Sequence, residues 1–252
     1  MEKEEQFKKR ILELGRNAFQ RNIVTFSDFL DLNEQNIVHN LNVKHEGFRM
    51  KFYGGYDMSE RQMIAFLSDA LSYEWDYPIR CLHIIPKSLK FSDYLTHRDY
   101  LGALLNLGVL RSKIGDIIVN EDNSAYVFCE ERIADFFMQE LSRVKHTVVV
   151  IEEVYQIEHH ITHKEELVTG TVASVRLDSV IALAFNQSRS GMIPFIESGK
   201  VFVNGKLITS NGYTLKDNDI ISVRGKGKFR FGGIQNVTKK GRCVALVYRY
   251  SR

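Results

Sequence analysis

Cysteine is scarce in this 252-residue chain: Cys81, Cys129 and Cys243 are its three, and no two are spaced as a pair. That pattern argues against a disulfide framework or a zinc cluster and fits a reducing cytoplasm. Long apolar runs are missing as well. None approaches the ~20 residues needed to cross a bilayer, so no membrane partner is expected. The opening MEKEEQFKKR is densely charged and lacks the apolar centre of a signal peptide. No glycine-rich cofactor loop occurs, and no cofactor is expected. What remains is ordinary for a folded protein, with 44% apolar residues. The length suits one large domain or two to three small ones.

Charge is unevenly placed. Residues 1–175 hold 20 Lys+Arg against 27 Asp+Glu, residues 176–252 hold 14 against 4, and the whole chain is +3. The last third therefore carries a positive field that attracts polyanions.

Patterning divides the chain into four parts. Residues 1–75 read as helical. EEQFKKRILELGRNAF places Phe7, Ile11, Leu14 and Ala18 at helical spacing. TFSDFLDLNEQNIVHNL has Ser27 as its candidate cap, and YGGYDMSERQMIAFLSDAL offers a Gly-Gly turn, a Ser59 cap, and Met63, Phe66 and Leu67 on one helical side. Residues 76–155 change character. IRCLHII reads as a strand and HRDYLGALLNLGV as a helix. GDIIVNEDNSAYVFCEE reads as two strands about a polar turn, RIADFFMQELSRV as a helix and HTVVVIEEV as a strand. The order β-α-β-β-α-β is that of a ferredoxin-like or RRM-like sandwich within an α+β protein. Residues 156–174 read as a polar linker that turns extended near its end, and residues 175–252 as two short helices followed by short strands.

In that last part Leu177, Val180, Ile181, Ala184 and Phe185 follow the helical apolar rule. Ser188 or Ser190 can cap a second helix carrying Met192, Phe195 and Ile196, with Gly199 suited to end it at positive φ. Pro194 falls inside that helix, which requires the helix to begin near Ser190 or to kink. VFVNGKLI alternates about Asn204-Gly205, a strong hairpin cue. RGKGKFRF interleaves Arg224, Lys226, Lys228 and Arg230 with Phe229 and Phe231. Strand alternation would put the basic residues on one face and the aromatics, as core, on the other.

RLD at 176–178, SRS at 188–190, ESGKVFVNG at 197–205 and DNDIISVRG at 217–225 together resemble the S-four RNA-binding domain, over about fifty residues. The resemblance implies binding of folded RNA through Arg176, Ser188, Arg189, Ser190, Lys200 and Lys206. Arg189 would sit at a helix start, where outward N–H groups already favour phosphate. Arg224, Lys226 and Lys228 extend the cationic surface, and contacts of this kind read shape and backbone more than sequence.

HRDYLGALLNLGVLRSKIGDIIV at 97–119 and YGGYDMSERQMIAFLSD at 53–69 extend the resemblance to nearly the full length, and the family it points to is the bacterial YlmH family. Membership implies a protein that binds rRNA of the large ribosomal subunit and tRNA and acts in ribosome-associated quality control. It would hold peptidyl-tRNA on a stalled, split subunit during C-terminal tailing, alongside a tailing factor of the NEMF type. A monomer is expected. A cell-division label attached to some members finds no physical basis in these residues.

Other motifs carry less. Tyr126 and Phe128 on the third strand of the middle domain lack the preceding basic-glycine signature, and Glu130 and Glu131 would repel phosphate. That sheet reads as a protein-docking or structural face. EHHITHKEE gathers His159, His160 and His163 beside Glu158 and Glu165, but adjacent histidines share no helical face, so no metal is expected. HRD at 97–99 precedes a helix that His97 or Asp99 can cap, and it is not kinase-like. An RNA-modifying enzyme of the pseudouridine-synthase kind is the alternative class. Val175 stands where such sites carry glycine, which makes Asp178 a helix-start residue, and no catalytic residue is assigned.

Overall fold

The computed structural model of the protein describes residues 2–43, 46–71, 73–155 and 165–250. It divides into two compact units, residues 1–160 and residues 161–252.

The first unit opens on helix α1 (Glu2–Arg21), which buries Ile11, Gly15 and Ala18. After it come strand β1 (Thr25–Phe26), helix α2 (Leu32–His39), and strands β2 (Phe48–Tyr53) and β3 (Met63–Ser68). The strands form an antiparallel sheet in the order β1-β3-β2. Ile64, Phe66 and Phe48 pack with Ile11 and Ala18 of α1 in one core. Gly15 makes that contact close, because a Cβ there would stand 2.2 Å from the Phe48 ring.

Two expectations for this region are corrected. The helix expected from Ser59 through Leu67 is the strand β3, and every residue from Met63 to Ser68 is buried. A strand covered on both faces shows an unbroken apolar run with no period of two, which sequence cannot tell from a buried helix. Ser27 is not a helix cap either. Its Oγ accepts from the Ile64 N–H at 2.9 Å and donates to the Asp28 carbonyl. Asp31 caps α2, accepting from the Asn33 and Glu34 N–H groups, while Glu34 reaches back to the Asp31 N–H.

The rest of the unit follows the expected order. Strand β4 (Ile79–Pro86) leads to helix α3 (His97–Asn106), strands β5 (Ile114–Val119) and β6 (Ala125–Glu130), helix α4 (Glu131–Glu140), a short strand β7 (Arg143–Val144) and strand β8 (Thr147–Val154). The sheet order β5-β6-β4-β8-β7 is fully antiparallel, with the ferredoxin-like arrangement in its first four strands. Tyr100 and Leu104 of α3 and Ala134 and Phe137 of α4 pack on Leu82, Ile84, Val127 and Cys129. Asp99 does help cap α3, accepting from the Thr96 N–H at 2.8 Å.

Residues 1–75 close over the opposite face of this sheet at its β5-β6 end. Tyr56 stacks on Phe128 at 4.9 Å, and Gly55 at φ +100 lies so near that a Cβ would meet the Phe128 ring at 2.3 Å. Asp116 draws the two parts together, accepting from the Tyr56 hydroxyl and from the Glu60 and Arg61 N–H groups.

The second unit has strand β9 (Glu165–Val172), helices α5 (Leu177–Ala184) and α6 (Arg189–Glu197), and strands β10 (Val201–Val203), β11 (Lys206–Leu207), β12 (Ile220–Val223), β13 (Gly227–Val237) and β14 (Cys243–Tyr250). Their order in one antiparallel sheet is β11-β10-β12-β13-β14-β9. Part of the expected linker is therefore structural, since residues 165–172 pair along the whole of β14. Residues 156–164, with His159, His160 and His163, lie outside the described residues, and residues 173–174 bend into the next helix. Leu177, Val180, Ile181, Met192 and Ile196 from the helices bury against Val201, Val203, Ile221, Phe229 and Phe231. Burial of this apolar helix pair against one sheet face is what fixes the site described next.

Candidate RNA interface

Helix α6 is set by its two ends. Ser188 is the N-cap and accepts from the Gly191 N–H at 3.0 Å, so of the two candidate serines it is Ser188 that caps. Ser190 stands beside it, with the two hydroxyls 3.0 Å apart. At the other end the Gly199 N–H bonds to the Ile196 carbonyl and the Lys200 N–H to the Phe195 carbonyl. These two hydrogen bonds, with Gly199 at φ +71, make a Schellman close. Pro194 sits within the nine-residue helix. The carbonyl deprived of its donor is that of Ser190, at the helix start, where the chain can tolerate the loss. Arg189 is thus the first residue of a helix about 13 Å long, and Lys200 follows its closing turn.

Asp178 organises the start. Its side chain is buried at 1% exposure, yet it pairs with Arg189, and Arg176 Nε lies 3.4 Å from its other oxygen. The two guanidinium groups are half-exposed, at 44% and 52%. Burial alone would raise the Asp178 carboxyl. The hydrogen bond and charge of Arg189, the charge of Arg176 and the Ser179 hydroxyl together hold it below the ordinary carboxylate range. One buried anion therefore aims two cations outward beside the open N–H groups of α6, and one positive charge is left uncompensated. Sequence reading assigned Asp178 only to the helix start. Its clamp on Arg189, eleven residues on, appears only when α5 and α6 pack.

The end of α6 gathers a second set. Lys200 Nζ and Lys226 Nζ lie 5.5 and 5.4 Å from the centre of the Phe195 ring. The hairpin between β10 and β11 forms as expected, with Asn204 at φ +48 and Gly205 at φ +77 as its two central residues. Lys206 is exposed and pairs with Val203. Val203 belongs to the helix-side core, so the register puts Lys206 on that same side.

Two of the sequence-derived residues go elsewhere. The expected strand alternation holds only from residue 227, because Gly225 and Gly227 at positive φ make residues 224–226 a turn. Phe229 and Phe231 are core, and Lys228 and Arg230 take the opposite face, where Arg230 stacks on Tyr248 at 4.2 Å. Arg224 lies 5.0 Å over Phe202, which also faces away from the helices. Arg224 and Lys228 therefore do not join Arg176, Ser188, Arg189, Ser190, Lys200, Lys206 and Lys226 in one surface. The helix side holds five of the cations against Asp178 and Glu197.

Neither unit offers a group of His, Cys, Asp and Glu suited to a metal ion among the described residues. No helix among them is long and apolar enough to cross a membrane.

An apolar helix pair on a small sheet, with cations at both ends of the outer helix, defines an S4 domain, and the S4 family profile matches residues 175–221. Residues 73–158 match the profile described as "Putative RNA-binding domain in YlmH", so the chain joins the RNA-binding domain of the YlmH family to an S4 domain. The "Ribosome-associated protein quality control protein P2" of Bacillus subtilis (strain 168) is 28% identical over 242 residues, 94% of this chain and 91% of that protein. The solved structure titled "Cell division protein ylmH from Streptococcus pneumoniae" is 25% identical, with a TM-score of 0.51 over 62% of this chain and 93% of that one.

Proposed function

We propose that the helix side of the C-terminal unit grips folded RNA of the large ribosomal subunit and tRNA, and that the protein acts in ribosome-associated quality control. In this reading it holds peptidyl-tRNA on a stalled, split subunit during C-terminal tailing, with a NEMF-type tailing factor beside it, as a cytoplasmic monomer. The observation that carries it is the pair Arg176 and Arg189, both half-exposed and both held by the buried Asp178 at the start of α6. Guanidinium forks fixed beside free helix N–H groups suit phosphate better than any neutral ligand. The name of the Bacillus subtilis relative supports the ribosomal setting.

The same carboxylate argues against the RNA-modifying alternative. A nucleophile needs a free, reachable oxygen, and Asp178 is buried with an arginine at each oxygen. No catalytic residue is proposed. Sedimentation with isolated large subunits at low salt tests the ribosomal reading: the protein should travel with the subunit, and its absence from that fraction would refute it. A nucleoside changed after incubation with ribosomal RNA would instead establish the enzyme.

A further inference from the structure

A ferredoxin-like sheet that reads RNA on its open face must present aromatic rings from its central strands. Here those positions are occupied from within. Phe128 is fully buried against Tyr56, and Tyr126 is 6% exposed and stacked on His83 at 4.3 Å. Two of its well-displayed rings stand elsewhere, in the connection from β4 to α3, where Phe91, with Lys90 Nζ 5.6 Å from its centre, is 78% and Tyr94 82% exposed; Tyr155, after β8, is also 82% exposed.

That connection is firmly held. The Asp93 N–H donates to the Thr147 hydroxyl at 2.8 Å, the His146 N–H donates to the Asp93 carboxylate at 3.2 Å, and Leu95 is buried at 1% exposure. The Lys87 N–H bonds to the Val148 carbonyl, and Val148 pairs with Arg143. Two segments far apart in sequence, 87–98 and 143–148, thereby form one surface. Rings on an anchored backbone give up little freedom on stacking.

Charge in this patch runs against the acidic first part of the chain. Asp99 is drawn inward by the Thr96 cap and by Lys145, at 2.8 Å, and Asp93 by the backbone of the β7-β8 turn. Glu140 is exposed nearby. Among the described residues Lys87, Lys90, Arg98 and Arg143 form no ion pair, and all four are exposed.

We propose that this anchored connection and the adjoining β7-β8 turn form a second RNA contact, separate from the S4 site, that takes unpaired nucleotides. Bases stack on Phe91 and Tyr94, and phosphates meet Lys87, Lys90, Arg98 and Arg143. Cations interleaved with exposed rings fit a single strand better than a protein surface, and the domain's likeness to an RNA-binding profile agrees. None of these residues belongs to the S4 surface, so the two sites stand or fall separately.

The test titrates the full chain and its Phe91→Ala/Tyr94→Ala double variant with a labelled oligouridylate of about 12 nucleotides and, separately, with a blunt RNA duplex. Both rings are exposed, so the variant should melt with the wild type. Its oligouridylate affinity should fall about fivefold or more for each ring that stacks a base, with duplex affinity unchanged. Arg189→Ala/Lys200→Ala should do the reverse. Ultraviolet irradiation of the wild-type complex should attach uridine to Phe91 or Tyr94. Unchanged oligouridylate affinity in the ring variant, no oligouridylate binding by the wild type, or attachment confined to other residues would each overturn the proposal. So would a protein partner that the ring variant no longer binds while its oligouridylate affinity stays intact.

Discussion

Asp178→Asn separates two accounts of the S4 surface. If Arg176 and Arg189 act only as charges, removing a nearby anion raises the local positive potential and RNA should bind more tightly. If Asp178 aims them, the neutral amide loses most of its hold and binding to folded RNA should weaken despite the extra positive charge. The stability change follows from the geometry. Breaking a wholly buried pair costs ~3–5 kcal/mol because a charge is stranded. Here both arginines are half-exposed and can rehydrate. The loss is then nearer that of hydrogen bonds to a charged group, about 1.5–3 kcal/mol, measurable by urea unfolding. The pH sign follows from the lowered carboxyl. Asp178 contributes stability above its unfolded-state value near ~3.9, and that contribution disappears as pH falls through the lower folded value. Wild type should thus lose its advantage over Asp178→Asn in strong acid. Tighter binding by Asp178→Asn at neutral pH, with stability unchanged, would refute the positioning argument.

Further outcomes follow from close contacts and turns. Gly55→Ala would force a Cβ to 2.3 Å from Phe128 at φ +100, so the first unit should lose ~2–4 kcal/mol in chemical denaturation. Gly205→Ala places a side chain at φ +77 in the hairpin and should cost ~1–2 kcal/mol while leaving the sheet order intact by amide exchange. Phe195→Ala removes the ring beneath Lys200 and Lys226, which should cost ~0.5–1 kcal/mol of stability per exposed cation–ring pair in urea unfolding, besides the loss of its packing on the core. It should also weaken RNA binding at low salt if the ring positions the two ammonium groups.

Local signals carried much of this protein. Asn204-Gly205, Gly199 and the stripe on α5 each fix their own backbone conformation within a few residues, so they could be read directly. The ferredoxin-like order was legible because its strands alternate with helices of clear period. Strand β3 was not, since burial on both faces erases alternation. For strand β9 an extended end to the linker was legible but its pairing was not, because its partner among the described residues, β14, lies more than seventy residues further along the chain. The cationic surface was legible in composition but not in partition: Gly225 and Gly227 turn the chain so that Lys226 faces Phe195 while Arg224 and Lys228 go to the other side. Asp178 and the anchored ring pair Phe91 and Tyr94 needed tertiary packing that no local pattern announces.

The most direct measurement is the salt dependence of binding between the protein and large-subunit ribosomal RNA, compared with Arg189→Ala and Lys200→Ala. Each variant should bind more weakly, and the log–log slope should flatten by roughly 0.7–0.9 for each phosphate left without its cation. Folded variants that keep the wild-type slope would place RNA somewhere other than the helix side of the C-terminal unit.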